Sequence, residues 1–332
     1  MRIVLCYPVE NRHVEQLAAA APGHEIVNAG QERIADELVE SDIFLGHAKV
    51  PVPWDEAVAR GRLRWIQSSA AGMDHCLVPS VIASDIVVTS ASGLFADPVA
   101  EQTLALLLGF LRGLPTFFRA QQKREFIRRP TRDLHDATVG IIGFGGNGRR
   151  IAEVLAPFRT RILATDLFPE DKPEHVAELL PADALDDVLS RVDIAILCLP
   201  LNSDTHGIID AGRLACLRRG SVLINVARGQ VVVEADLVQS LQAGHLAGVG
   251  VDVTEVEPLP VDSPLWDMPN VLITPHVGAQ SLRRADVTTN LLAANLRRYL
   301  AGEPLVNVVD KRLGFPIRRR AGGCRPEGAA TR

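Results

Sequence analysis

One stretch constrains this chain more than any other: residues 138–166, TVGIIGFGGNGRRIAEVLAPFRTRILATD. It opens with a short apolar run of strand length, residues 139–142. Gly143-Phe144-Gly145-Gly146-Asn147-Gly148 follows and fits G-x-G-x-x-G. Ile151, Val154, Leu155 and Phe158 then recur at i, i+3, i+4 and i+7, the apolar face of a helix. A second strand-like run, 161–164, ends near Asp166. A lone glycine motif is weak evidence. Between a strand and a helix, with an acidic residue about 20 positions on, it meets the context of a dinucleotide-binding βαβ unit.

The spacing has a physical reading. Gly143 permits the tight turn out of the strand, Gly145 lets the backbone approach a pyrophosphate, and Gly148 lets helix and strand pack closely. The helix N-terminus, with Gly146 and Asn147 in its first turn, offers N–H groups and a positive dipole end to phosphate. Asp166 can accept hydrogen bonds from both ribose hydroxyls and would repel a 2′-phosphate. Leu167 and Phe168 supply no cation to hold one. The expected cofactor is therefore NAD, in preference to NADP.

A chain of 332 residues has room for two ordinary domains. With 47% hydrophobic and 23% charged residues it has the composition of a globular protein, and a formal net charge of −5 disfavours nucleic acid as a partner. The N-terminal MRIVLCYP reads as a first strand and not as a signal peptide. The most apolar run, 104–111, is too short to span a bilayer, so no membrane partner is expected. Five cysteines without a C-x-x-C pair do not make a disulfide framework. No His/Cys cluster has metal-ligand spacing, so no metal is expected. Together these features point to a cytoplasmic setting.

Strand and helix patterns alternate along the chain: strands at 2–7, 25–28, 42–46, 63–67 and 86–89, and helices at 14–21, 34–40 and 54–60. Such alternation implies an α/β fold with parallel sheets covered on both faces. A long apolar helix is expected over 98–118, buried within the chain or against a second subunit. Beyond Asp166 come strands at 193–199, 221–226, 248–253 and 271–274, and helices at 234–243 and 281–300. Residues 305–309 are expected to complete the first domain. The domains read as 1–97 with 288–315, and an inserted glycine-motif domain at 98–287. Residues 316–332 read as a disordered tail.

Ligands of open α/β sheets bind at the carboxyl ends of strands. Arg228 follows INVA, Glu257 follows VDVTEV and His276 follows LITP. Each alone is unremarkable; the three beside a nicotinamide-type motif form a set.

The segments GIIGFGGNGRRIA, CLPLNSDTHGIID, LINVARGQVVVEADLVQSL, GVGVDVTEVEPLPVDSPLW and PNVLITPHVGA, with WIQSSAAGMD and LVNVV in the first domain, resemble the D-isomer-specific 2-hydroxyacid dehydrogenase family. The resemblance extends to about Phe315. It implies two Rossmann-like (flavodoxin-like) domains, the nucleotide-binding one inserted in the substrate domain, with a cleft between them. It implies hydride transfer between nicotinamide C4 and the carbonyl carbon of a small 2-keto acid. His276 then matches the general acid/base, Glu257 the carboxylate that holds its ring, and Arg228 the guanidinium that binds the substrate carboxylate. Ala71 and Gly72 match a loop whose amides grip that carboxylate. Asp252 matches the residue near the nicotinamide amide; Pro200 and Thr205 line the cofactor, and Ala227, His276 and Gly278 join the same set. Asn147 stands where Ile or Val is usual. Ser68 stands where phosphoglycerate dehydrogenases usually have a phosphate-reading arginine, and no regulatory domain is expected to follow; both disfavour a 3-phosphoglycerate substrate. The resemblance also implies a homodimer through the glycine-motif domain. The alternatives are a 3-phosphoglycerate dehydrogenase and a non-catalytic NAD(H) sensor on the same fold.

Overall fold

The computed structural model describes residues 1–317. The chain divides into two units, Met1–Ala91 with the segment from Leu291 onward, and Ser92–Asn290.

Unit 1 alternates β1 (Arg2–Cys6), α1 (Asn11–Ala20), β2 (Glu25–Asn28), α2 (Ile34–Leu38), β3 (Ile43–Gly46), α3 (Trp54–Ala59), β4 (Trp65–Ser68), α4 (Pro79–Ala83) and β5 (Val87–Thr89). Its five strands are parallel in the order β2-β1-β3-β4-β5. Within β1, residues 3–6 are apolar without a break, and so is the whole of β3, because both faces are covered. Alternate residues of β1 serve the two faces: Val4 and Cys6 join Phe44, Trp54 and Ile66, while Ile3 and Leu5 join Leu45 and Trp65.

Unit 2 contains α5 (Ala96–Leu111), α6 (Leu114–Gln122), β6 (Thr138–Ile142), α7 (Gly146–Leu155), β7 (Arg161–Asp166), β8 (Glu178–Pro181), α8 (Leu185–Arg191), β9 (Ile194–Leu197), α9 (Ala211–Cys216), β10 (Val222–Asn225), α10 (Glu234–Gln242), β11 (Gly248–Val251) and β12 (Val271–Ile273). Its seven strands, all parallel, run β12-β11-β10-β9-β6-β7-β8. The order reverses between β6 and β9, the switch point at which doubly wound sheets bind ligands. Helix α11 (Arg284–Leu300) carries the chain back, and its Leu292, Ala293 and Leu296 pack in the unit 1 core. The strands β13 (Val309–Asp310) and β14 (Phe315–Pro316) close the described chain as an antiparallel pair.

Several expectations are corrected. The helix expected at 98–118 is two helices bent by 67°. Gly113 takes the left-handed conformation (φ 69°) between them, and Pro115, in the first turn of α6, cannot donate to the α5 ladder. The apolar face of α5 is covered inside its own unit, where Leu106, Leu107 and Leu111 pack with Ile151 and Ile224. Residues 305–309 fall in unit 1, as expected, without adding a strand to its five-stranded sheet. Asn307 is left-handed (φ 58°), Val308 then makes one bridge to Thr89, and the chain turns again at Gly314 (φ 80°). The units divide at 91/92 and 290/291, whereas 97/98 and 287/288 were expected. The shift at the first boundary has a cause, since residues 92–95 pack on the glycine turn: a Cβ on Gly146 would come within 3.0 Å of the Gly93 Cα. Of the tail expected at 316–332, Pro316 is in β14, and residues 318–332 lie outside the described residues. Among the described residues no single helix is long and apolar enough to cross a membrane.

Candidate active site

The glycine turn leaves β6 at the switch point of the unit 2 sheet. Gly143 has φ 94°, and a Cβ there would lie 2.9 Å from the Cys198 carbonyl group. A Cβ on Gly148 would lie 2.2 Å from the Gly143 oxygen, so only glycine lets α7 start this close to the strand. Gly145 differs: a Cβ there would meet nothing within 4 Å. Its bare backbone borders open space, as a turn that receives a phosphate requires. No side chain caps α7, so the N–H groups of its first turn, which includes Gly146 and Asn147, are left for a ligand. Asp166, at the end of β7, accepts the N–H of Phe144 at 2.7 Å and that of Phe168 at 2.8 Å, one on each carboxylate oxygen. The residue expected to read the ribose thus also ties the glycine turn to the neighbouring strand end. Thr205 and Pro200 form a self-contained turn, the Thr205 hydroxyl donating to the Pro200 carbonyl at 2.7 Å.

The other expected residues follow β10, β11 and β12. His276 Nδ1 and Glu257 Oε2 are 2.8 Å apart, both side chains partly exposed (43% and 38%). A carboxylate only accepts, so Nδ1 carries the hydrogen and Nε2 is the nitrogen left to the surroundings. Burial pushes the Glu257 carboxyl up. The hydrogen bond and charge of His276, the Thr254 N–H and the charge of Arg228 outweigh it and hold the group below the usual carboxylate range. Arg228 thus acts on the same carboxylate as His276.

The backbone at His276 is left-handed (φ 54°), a conformation that costs a non-glycine residue roughly 1–3 kcal/mol. Asp252 explains how it is held. This buried residue (4% exposed) receives the His276 N–H on its carbonyl at 2.7 Å. Its Oδ1 accepts from the Thr274 hydroxyl at 2.6 Å and the Val277 N–H at 3.0 Å, and its Oδ2 from the Gly278 N–H at 2.7 Å. Asp252, expected beside the cofactor amide, is the anchor of the segment that presents His276. Gly278 is part of the same anchor, because a Cβ there would lie 2.8 Å from Asp252 Oδ2.

Three residues outside the expected set complete this end of the sheet. Asn225 accepts the Ala227 N–H and donates to the Arg228 carbonyl, both at 3.0 Å, and so shapes the turn that carries Arg228. Gln102 of α5 donates to the Thr274 hydroxyl at 2.9 Å, extending the Asp252 network. The visible signal in the sequence is a polar residue closing an apolar run: LIN for Asn225 and LIT for Thr274.

Ala71 and Gly72 belong to unit 1, in the loop after β4. Their N–H groups donate to nothing among the described residues. The preceding residue is fixed: the Ala70 N–H donates to Ser68 Oγ at 2.9 Å, and the same oxygen lies 3.3 Å from His75 Nε2. The His75 ring stacks on His47, with centroids 3.9 Å apart.

The model of the "D-isomer specific 2-hydroxyacid dehydrogenase, NAD binding domain" matches residues 104–278. The chain is 30% identical over 290 residues to a glycerate dehydrogenase of Methylorubrum extorquens, covering 84% of this chain and 88% of that protein. It is 30% identical over 283 residues to the D-3-phosphoglycerate dehydrogenase of Mycobacterium tuberculosis, covering 84% of this chain and 53% of that protein, about half its length. Among solved structures, the NADPH-dependent glyoxylate/hydroxypyruvate reductase of Sinorhizobium meliloti, in complex with NADP and sulfate, superposes with a TM-score of 0.79. Identity there is 31%, over 95% of this chain and 99% of that one. The chain belongs to the D-isomer-specific 2-hydroxyacid dehydrogenase family, oxidoreductases acting on CH–OH groups.

Proposed function

We propose that the chain is an NAD-dependent D-2-hydroxyacid dehydrogenase that works as a reductase of small, unphosphorylated 2-keto acids. The observation that carries this reading is the His276–Glu257 pair, 2.8 Å apart at a strand end of the sheet that also carries the glycine turn. A nicotinamide cofactor, when bound, supplies the hydride. The turn of Gly143, Gly145, Gly146, Asn147 and Gly148 would hold its phosphates, and Asp166 its ribose; Pro200, Thr205, Ala227 and Gly278 would lie along it.

His276 Nε2 is the atom to exchange a proton with the carbonyl oxygen, and Glu257 fixes the ring through Nδ1. Arg228 grips the substrate carboxylate with a planar fork, and the unbonded amides of Ala71 and Gly72 are a second anion grip. Asp166 underlies the choice of NAD, as a carboxylate at the ribose repels a 2′-phosphate. The likeness to an NADPH-dependent reductase makes NADPH the second reading of the cofactor. Ser68 underlies the choice of an unphosphorylated acid. It is buried and bonded to Ala70 and His75, and it brings no cation to a phosphate. The likeness to a phosphoglycerate dehydrogenase keeps 3-phosphohydroxypyruvate as the second reading.

The test is oxidation of NADH, with NADPH in parallel, against glyoxylate, hydroxypyruvate, pyruvate, phenylpyruvate and 3-phosphohydroxypyruvate. Turnover of an unphosphorylated acid with NADH is the expected result. Preference for the phosphorylated acid would overturn the reading of Ser68, and silence with NADH bound would favour a sensor. Asp166→Ala is expected to relax the discrimination against NADPH by about tenfold, the size of one lost charged contact; unchanged discrimination would mean another group reads the ribose. We also propose a homodimer through unit 2, where Leu114 and Phe118 of α6 are exposed. Light scattering of the purified chain tests it, and a monomeric mass would refute it.

A further inference from the structure

Arg284 has no place in the chemistry above. It opens α11, eight residues beyond His276, and is half-buried. Its Nη1 donates to the Ala279 carbonyl at 3.0 Å, and its Cζ lies 4.8 Å from the ring centroid of the buried Phe95. No carboxylate comes within ion-pairing distance of it among the described residues. Arg150 of α7 is a contrast, pairing with Asp97 at 2.6 Å and with Glu153 at 2.7 Å. A guanidinium has five N–H donors, and Arg284 spends one on a carbonyl. A partly desolvated cation without a counter-ion is costly, and folded proteins pair such groups. Burial accordingly pulls the Arg284 guanidinium below its ordinary pKa.

The supports of this cation locate it. Phe95 belongs to the 92–95 loop, whose Gly93 packs against Gly146 of the glycine turn. Ala279 directly follows Gly278, whose N–H is bonded to Asp252 in the anchor of the His276 segment. Arg284 is therefore fastened on one side to the segment that abuts the glycine turn and on the other to the segment that carries His276. We propose that Arg284 is an anion-binding residue of unit 2, taking a phosphate or carboxylate of a bound ligand into its planar fork while Phe95 holds the guanidinium in plane. The anion has two sources, the cofactor's pyrophosphate or a second acidic group on the 2-keto acid. The assignment of those ligands rests on the function proposed above.

The test compares the wild-type chain with Arg284→Ala and with Arg284→Met, which keeps the packed stem and guards against a folding defect in the alanine variant. Calorimetric titration with NADH and with ADP-ribose reads the cofactor arm. The substrate arm reads KM for two pairs, pyruvate with oxaloacetate and hydroxypyruvate with 3-phosphohydroxypyruvate. If no acid turns over, binding of pyruvate and of oxaloacetate to the NAD complex replaces KM, so failure of the proposed reaction stays distinct from failure of this site. About tenfold weaker NADH and ADP-ribose binding, the size of a lost charged hydrogen bond, assigns the anion to the cofactor. About a tenfold loss confined to the acid with the extra charge assigns it to the substrate. Unchanged affinities in both arms, with folded variants, overturn the proposal.

Discussion

The carboxyl ends of the two sheets are furnished in different ways. In unit 2, the ends of β10, β11 and β12 present charged side chains, and each is placed by another polar group. Asn225 shapes the turn of Arg228, Asp252 holds the left-handed backbone of His276, and Glu257 fixes its ring. In unit 1, the loop after β4 presents backbone amides, those of Ala71 and Gly72. Around it stands a network of a hydroxyl, an amide and two imidazoles: Ser68 on Ala70 and His75, His75 on His47, and Gln31 on the His47 carbonyl at 2.9 Å. Side-chain chemistry thus brings buried charge with it, and amide chemistry needs only a turn held in shape. Damage at the first end should fall on turnover and stability, and damage at the second on substrate affinity.

The largest effect is expected at His276. His276→Ala should lower kcat by at least about 100-fold, the usual scale of general acid–base catalysis, while NADH binding measured by calorimetry survives. A kcat within about threefold of wild type would remove His276 from the chemistry and, with it, the contrast between the two ends. Asp252→Ala comes next. It deletes three hydrogen bonds to a buried carboxylate, a loss on the order of 2–4 kcal/mol. The expected result is a melting temperature lower by several degrees together with a kcat reduced about tenfold or more. Full stability with lost activity would mean that Asp252 acts on ligand and not on the segment. Ser68→Ala should be milder, raising KM for the 2-keto acid roughly three- to tenfold, as expected of one hydrogen bond, with kcat kept. A fall in kcat without a change in KM would show that the unit 1 loop is not an affinity device.

The same contrast governs how much of the molecule was legible in the sequence. Gly143, Gly145 and Gly148 could be given separate tasks in advance because each glycine answers a steric demand, and the structure shows closure against Cys198, open space and closure against the strand in turn. The His276–Glu257 bond could be expected because both residues follow strand ends and resemble a known pair. Asn225 and Gln102 escaped notice, since a buried or half-buried amide bonded to backbone or hydroxyl leaves no periodicity in the sequence. The anchoring part of Asp252 escaped notice for a related reason: its partners are chiefly backbone N–H groups, whose direction depends on the φ of His276. The long apolar run at 98–118 hid a bend because the hydrophobic pattern continues across Gly113, where a single left-handed residue redirects the chain. The short α4, β8, α8 and α9 offered too few residues in register to be read.

The smallest prediction concerns Glu257, and it sharpens the contrast through pH. Its carboxyl is held below the usual range in the folded chain by His276, Thr254 and Arg228, against the opposing pull of burial. A depressed carboxylate adds stability that is fully present above its unfolded value, near 4.3, and is lost as pH falls through the lower folded value. Wild type should therefore melt above Glu257→Gln at neutral pH, and the gap should close below about pH 4. The gap should be modest, because both partners are partly exposed and water screens the pair. A Glu257 gap that widens as pH falls would mean that burial wins and the carboxyl holds its proton in the folded state. Glu257 would then donate to His276 Nδ1 instead of accepting from it, and the neutral ring would carry its own hydrogen on Nε2.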